Sequence, residues 1–198
     1  MGSPRHESTR ALAKWAKWLA LTTGGQSVGW GVSAFFLQEE IPAIVLLPGI
    51  ACAIAQWSFF KPLPRAILWI VPGALTSPLL GYAFLVMLGH SYPQELDPPL
   101  YARVIAASVL LAIIGLAQFF VLRRWFINTG LWIPTTTIAW LIAFLLLDAL
   151  KYAQPSQFFS ILPAFLQLAG IGAFFGAVQG TITGVFIASL QSRPVSGA

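Results

Sequence analysis

Long runs of apolar residues, separated by short polar segments, dominate the chain from residue 15 to residue 190. A helix that crosses the hydrocarbon core of a bilayer needs about 20 consecutive, mostly apolar residues. Six runs meet this length, and we predict a transmembrane helix in each: Trp15–Leu37, Ile41–Phe60, Ala66–Gly89, Tyr101–Leu122, Leu131–Leu150 and Ile161–Leu190. Lipid cannot satisfy backbone polar groups, and the runs are too long for barrel strands, so the pattern predicts an all-α, polytopic membrane protein.

The overall composition supports this interpretation and narrows the classes of function. Hydrophobic residues make up 58% of the 198 residues and charged residues 9%, with a mean hydropathy of +0.80. An ordinary soluble domain is about half apolar and about a quarter charged, so the composition argues against a water-soluble fold. The basic residues form no aromatic-interleaved patch, which argues against nucleic acid as a partner. We expect a tail over residues 1–14, one transmembrane domain over 15–190 and a second tail over 191–198.

The positive charges predict the orientation of the chain in the membrane. With a cytoplasmic N-terminus, the cytoplasmic segments carry Arg5, Arg10, Lys14, Lys17, Lys61, Arg65, Arg123, Arg124 and Arg193, and the opposite side carries only Arg103 and Lys151. Cytoplasmic loops of membrane proteins carry an excess of Lys and Arg, so both termini should be cytoplasmic. The first apolar run is longer than the core of a signal peptide, roughly 7 to 15 residues, and we interpret it as a retained helix.

A local pattern recurs in the second, fourth and sixth predicted helices. Each contains a glutamine, Gln56, Gln118 or Gln179, at intervals of 62 and 61 residues. In the first two copies a basic residue follows five positions later, and the next helix contains Leu-Trp69-Ile or Leu-Trp132-Ile. Three helical hairpins of this kind account for the whole chain. We therefore predict six transmembrane helices built as three repeated hairpins, all inserted in the same orientation.

The second copy of this pattern carries a resemblance. The segment from Gly115 to Arg124, followed by Leu131-Trp-Ile-Pro134, resembles a repeat in multi-spanning membrane proteins of cyanobacteria and other phototrophic bacteria, a group with no assigned activity. The third copy departs from the repeat, because no basic residue follows Gln179 until Arg193. The resemblance implies a bacterial inner (plasma) membrane or a thylakoid membrane as the location, and it implies no chemistry.

The three glutamines are the first candidate site. They lie at similar depths in their helices, and an amide in lipid costs free energy unless it is hydrogen-bonded. One interpretation is that they bond neighbouring helices together. The alternative is that three symmetry-related amides converge on an ion, a polar solute or a pigment. Pro48, Pro72 and Pro78 lie inside apolar runs, where kinks could open a polar-lined pocket.

Small residues recur at four-residue spacing in the first and last predicted helices. The first contains Gly25, Gly29 and Ser33, and the last contains Gly172, Gly176, Gly180 and Gly184. Such stripes let two helix backbones approach closely. They predict either that the first and last helices pack together and close the bundle, or that the stripe of the last helix binds another subunit.

The sequence contains no recognisable catalytic motif. His6 lies in the N-terminal tail and His90 at a helix end, and the chain contains no HExxH or GxSxG motif. Cys52 is the only cysteine, and we interpret it as a small buried residue. His90, Glu95 and Asp97 share one outer loop, which we interpret as a solvated turn rather than a metal site. We expect no catalysis and no proton relay, and the pattern indicates no particular cofactor.

Six tryptophans fall near the predicted cytoplasmic helix ends: Trp15, Trp18, Trp57, Trp69, Trp125 and Trp132. Tryptophan is enriched where membranes meet water, because the ring is apolar and its N–H is polar. We interpret these six as an aromatic belt at the level of the lipid headgroups.

Two hypotheses of function remain. The short loops, small-residue stripes and scarcity of ionisable groups favour a non-catalytic scaffold or accessory subunit of a larger membrane complex, photosynthetic or respiratory if the resemblance holds. Its partners would be the lipid bilayer and other membrane subunits or further copies of the chain. The intramembrane prolines, threonines and glutamines favour instead a small-solute transporter, channel or substrate-binding membrane component with a polar pocket between helices.

Overall fold

The computed structural model describes residues 4–36, 42–63, 65–87, 98–152 and 163–192. The long helices in these ranges are α1 (Pro4–Ser33), α2 (Pro42–Phe60), α3 (Ile70–Met87), α4 (Leu100–Leu122), α5 (Trp132–Tyr152) and α6 (Ala164–Ser189). Short 3₁₀ helices cover Ala34–Phe36, Ala66–Trp69 and Thr129–Leu131. The predicted all-α class is confirmed for the described residues. His90, Glu95, Asp97 and Arg193 lie outside them.

α1 extends well beyond the first apolar run. It begins at Pro4 and has 30 residues, so it is about 45 Å long, whereas the hydrocarbon core of a bilayer is about 30 Å thick. Alanine, arginine, lysine and leucine fill most of residues 10–19, and all four are strong helix formers. The helix therefore continues through most of the segment that we expected as an N-terminal tail.

The six helices form a closed ring in chain order. Each helix packs against the next, and α6 returns to pack most extensively against α1. Trp69, directly before α3, and Trp132, the first residue of α5, share one buried cluster with Phe60, Leu122 and Ile187 near the ends of α2, α4 and α6. Successive helices from α2 onwards therefore run in opposite directions. We call the end of the ring that holds this cluster the aromatic end.

A second buried cluster fills the opposite end of the ring. It includes Leu80, Leu111, Trp140 and Phe175, from α3 to α6. At this end the Arg103 guanidinium donates a hydrogen bond of 3.0 Å to the Met87 carbonyl, at the last residue of α3. The layer between the two clusters is polar, and it contains the candidate site.

The outer surface of the ring is apolar. On α4, for example, one stripe of exposed side chains consists of Tyr101, Ile105, Val109, Ile113, Leu116 and Phe120. Within the described ranges, four helical stretches are long and apolar enough to cross a membrane: Ala66–Ala83, Leu100–Leu122, Thr129–Ala149 and Ala164–Ser189. The apolar part of α2, Leu46–Phe60, is shorter. These features fit a multi-pass membrane protein.

Two connections at the aromatic end have the same local form. Arg65 and Asn128 adopt the left-handed conformation, with φ of 55° and 58°. Each is followed by a short 3₁₀ helix that leads into α3 or α5. Next to the second connection, Phe126–Ile127 pairs antiparallel with Gln191–Ser192. This two-residue ladder attaches the α4–α5 connection to the segment after α6.

Candidate functional site: a polar cavity beside three tryptophans

A cavity of about 30 Å³ lies in the polar layer, and all six helices contribute to its wall. The polar and aromatic side chains that line it are Gln26 of α1, Gln56 of α2, Thr76 and Ser77 of α3, Gln118 of α4, Trp140 of α5 and Gln179 of α6. The ring thus brings the three repeated glutamines to one site. A water molecule needs roughly 10 to 15 Å³ of such volume, so the cavity has room for about two.

Two of the glutamines accept hydrogen bonds from the indole of the following helix. Trp69 Nε1 donates to Gln56 Oε1 over 3.2 Å, and Trp132 Nε1 donates to Gln118 Oε1 over 3.0 Å. Both bonds are buried. Each amide therefore bonds its helix to the segment that follows, as expected if the glutamines join neighbouring helices. Each also lines the cavity, as expected if they converge on a ligand.

The third glutamine has a different arrangement. Trp18 Nε1 donates over 2.9 Å to the hydroxyl of Thr183, which in turn donates over 2.7 Å to the backbone carbonyl of Gln179. Thr183 lies four residues after Gln179, the position that Phe60 and Leu122 hold relative to Gln56 and Gln118. The indole of Trp18 thus bonds to Thr183, and the side-chain amide of Gln179 takes no part in that bond.

Trp18, Trp69 and Trp132 form a three-membered cluster. Their ring centroids are 6.1, 6.1 and 6.2 Å apart, with interplanar angles of 70° to 80°, which are edge-to-face contacts. Phe60 adds a fourth ring, 4.6 Å from Trp69. We call these four residues the aromatic layer. Trp69 and Trp132 bond to cavity glutamines, and Phe60 lies one turn after Gln56. The aromatic layer therefore separates the cavity from the aromatic end of the ring.

The predicted aromatic belt is wrong for these three tryptophans. Their side chains are at most 1% exposed, so they cannot lie at the lipid headgroups. Each indole N–H has an internal acceptor, which removes the cost of burying it. The signal that the sequence offered was the spacing from glutamine to tryptophan, 13 residues in one copy and 14 in the next.

α1 contributes polar side chains that the motif search missed. Gln56 Nε2 donates to Thr22 Oγ1 over 3.0 Å, and Trp30 Nε1 donates to Gln26 Oε1 over 3.2 Å. Together with Trp18, these α1 residues recur every four positions and therefore share one helix face. That periodicity was visible in the sequence.

Two buried polar atoms near the centre have no hydrogen-bond partner among the described residues. They are Oε1 of Gln179 and Oγ1 of Thr136, on side chains that are 3% and 0% exposed. Buried polar groups without a protein partner are commonly satisfied by water or a ligand. Gln179 lines the cavity, so its oxygen is available to a donor placed there.

Among the described residues that line the cavity, none carries a carboxylate, imidazole, ammonium or guanidinium group, and the one titratable side chain is the Cys52 thiol. An ion without an opposite charge in such a site would be costly, whereas a neutral polar molecule needs only hydrogen bonds. The described ranges also contain no group of three His, Cys, Asp or Glu residues that could hold a metal ion. The chemistry of the wall therefore fits a small neutral solute.

The two predicted small-residue stripes face different helices: the stripe of α6 faces α1, and the stripe of α1 faces α2. A Cβ atom on Gly176 would lie 2.5 Å from Thr23 Cα, and one on Gly184 would lie 3.0 Å from Trp15, so the α6 stripe faces α1. Gly172 and Gly180 face the same helix, against Gln26 and Leu19.

The α1 stripe faces α2. A Cβ atom on Gly25 would lie 2.7 Å from Cys52 Cα, and one on Gly29 would lie 2.5 Å from Pro48 Cα. Ser33, the third member, donates its hydroxyl to the Gly29 carbonyl over 2.8 Å. α1 is therefore held closely on two sides, which places Gln26 and Thr22 in the centre.

No protein-family model matches the chain, and no curated protein or solved structure is significantly similar to it. Its geometry is therefore the basis for a functional conclusion.

Proposed function

We propose that the chain is a multi-pass membrane protein whose helices surround a site for a small, neutral, polar solute, and that it acts as a channel or transporter. The observation that carries this proposal is the central cavity, to which every helix contributes and in which the side-chain oxygen Oε1 of Gln179 has no hydrogen-bond partner among the described residues. A site between helices of a bundle is a common place for ligands.

The same proposal includes six membrane spans arranged as three repeated hairpins, with both termini in the cytoplasm. The bonds from Trp69 to Gln56 and from Trp132 to Gln118 support the repeat, because they join equivalent positions. The left-handed residues Arg65 and Asn128 support it as well. In this arrangement the aromatic end faces the cytoplasm, and the membrane is the bacterial inner or the thylakoid membrane.

The volume of the cavity limits the solute. About 30 Å³ accommodates molecules of the size of water or ammonia, which also supply the donor that Gln179 needs. The aromatic layer blocks the cytoplasmic side of the cavity. The described form is therefore a closed one, and passage of a solute requires movement of these rings.

The test is solute flux into proteoliposomes, measured by stopped-flow light scattering for water and with an internal pH dye for ammonia. We expect Trp132→Ala to increase flux several-fold over the wild type, because it removes one ring of the aromatic layer. Adding Gln179→Leu to this variant should reduce the flux again. Gln167→Leu is the matched control, because Gln167 lies on α6 outside the cavity.

Flux equal to that of empty liposomes for both the wild type and a folded Trp132→Ala variant would refute the proposal. An equal effect of Gln167→Leu and Gln179→Leu would show that the cavity is not the route.

An accessory subunit of a photosynthetic or respiratory complex is the second candidate. Its support is that the bonds between Gln56 and Trp69 and between Gln118 and Trp132 are complete without a ligand, as expected of a purely structural core. Gentle detergent extraction followed by native gels should then return the chain with partner subunits, and a lone protomer would exclude this role. That the chain is non-catalytic remains a prediction under both candidates.

A further inference from the structure

A second cavity, of about 370 Å³, lies at the aromatic end on the outer side of the aromatic layer. α1 contributes Lys14 and Lys17 to its wall, and the end of α2 with the residues after it contributes Phe59, Phe60 and Leu63. Ligand pockets typically measure about 300 to 1,000 Å³. This second cavity is an open groove, and we call it the lysine groove. Unlike the central cavity, it is large enough for part of an organic molecule.

The two lysines give the mouth of the groove a positive charge. Both are exposed and lie three residues apart, on the same face of α1. The Lys17 ammonium is 5.7 Å from the centroid of the Phe59 ring, so one charge already lies over the apolar floor. Asp148 is the one carboxylate whose side chain the structure describes, and it lies on α5 towards the opposite end of the ring. No described carboxylate therefore neutralises the two lysines.

We propose that this groove binds one anionic phospholipid of the cytoplasmic leaflet. The phosphate would lie between Lys14 and Lys17, and an acyl chain would cover Phe59 and Leu63. A free phosphate would use only the lysines and leave the apolar floor exposed to water, whereas a lipid uses both parts. Basic pockets at the cytoplasmic side of membrane helices attract anionic headgroups, each Lys near the surface contributing about 1 kcal/mol. The inference does not depend on solute transport.

Native mass spectrometry of the purified full chain tests the proposal with phosphatidylglycerol and with phosphatidylcholine of the same acyl chains. We expect the wild type to retain one phosphatidylglycerol in preference to phosphatidylcholine. The double substitution Lys14→Gln and Lys17→Gln should weaken that binding by about tenfold or more, and Lys14→Arg with Lys17→Arg should keep it. Arg123→Gln is the matched control, since Arg123 is exposed at the same end but does not line the groove.

A second variant tests the apolar part of the site without changing charge. Ala13 lines the groove, and Ala13→Trp should occupy the space of the acyl chain and reduce retention of the lipid. Equal retention of the two lipids by the wild type would overturn the proposal, as would an equal loss in Arg123→Gln. Displacement of the bound phosphatidylglycerol by millimolar inorganic phosphate would also overturn it, because the site would then recognise phosphate alone.

Discussion

Individual hydroxyl groups in the centre of the ring differ in what they contribute. Thr22 and Thr136 are both fully buried and each lies one turn after a tryptophan of the three-membered cluster. The hydroxyl of Thr22 accepts a hydrogen bond from Gln56 over 3.0 Å, whereas the hydroxyl of Thr136 has no partner among the described residues. The two residues therefore allow a matched comparison.

We predict that Thr22→Val destabilises the protein and that Thr136→Val does not. The first change leaves a buried amide N–H without its acceptor, at a cost of about 1 to 3 kcal/mol. The second removes an unsatisfied hydroxyl with little change in shape, and we expect a neutral effect or a gain of about 1 kcal/mol. Unfolding of both variants in mixed detergent micelles measures the difference. Equal losses would indicate that Thr136 has a bound partner, such as a water molecule.

At the scale of elements, glycine determines how closely helices approach. Gly176 on α6 faces the backbone of α1 at Thr23, whereas a Cβ atom on Gly24 of α1 would meet nothing within 4 Å. The structure thus separates a glycine required by packing from one that is not, although both lie in the interior of a long helix.

We predict opposite effects of the same substitution at these two positions. Gly176→Ala should destabilise the α1–α6 contact by about 1 to 3 kcal/mol, because the added methyl group forces the backbones apart. Gly24→Ala should stabilise the protein by about 0.5 to 1 kcal/mol, through the higher helix propensity of alanine. Thermal unfolding followed by tryptophan fluorescence reports both. Similar stability of the two variants would contradict the close packing of α6 on α1.

For the whole molecule, the proposed topology places the start of α1, the start of α4 and the α4–α5 connection in defined compartments. Ser8 and Gly130 are exposed at the end expected in the cytoplasm, and Pro99 is exposed at the other end. A Cβ atom on Gly130 would meet nothing within 4 Å, so a cysteine fits there. Cys52 is buried and is the only native cysteine, which makes single-cysteine labelling practicable.

We predict that, in a Cys52→Ala background, an impermeant thiol reagent labels Pro99→Cys in intact cells but labels Ser8→Cys and Gly130→Cys only after permeabilisation. The physical reason is the excess of basic residues around positions 8 and 130, which stay on the cytoplasmic side. Labelling of Ser8→Cys from outside would show that the N-terminus is inverted. Labelling of Ser8→Cys and Gly130→Cys on different sides would disprove the six-span arrangement.

The all-α fold class and the presence of helices long and apolar enough to cross a membrane followed from the sequence, because long apolar runs are visible in it and backbone groups in lipid can adopt few structures. The convergence of Gln56, Gln118 and Gln179 was one of two alternatives that the repeat left open. Only the arrangement of the helices in a ring shows that the three amides line one cavity. The same is true of the small residues: spacing indicated close packing, but only the arrangement of neighbours assigned the α6 stripe to α1 and the α1 stripe to α2.

The burial of three tryptophans could not be predicted from the sequence. By residue type and position Trp18, Trp69 and Trp132 resemble interfacial anchors, and a tryptophan is equally compatible with an interface and with a core that offers its N–H an acceptor. Two of the acceptors, Gln56 and Gln118, lie on the preceding helix. The third, Thr183, lies at the other end of the chain from Trp18. The sequence by itself determined which segments are helical and apolar. Only the tertiary structure decided which polar groups meet, because a hydrogen bond between helices depends on the rotation and depth of both.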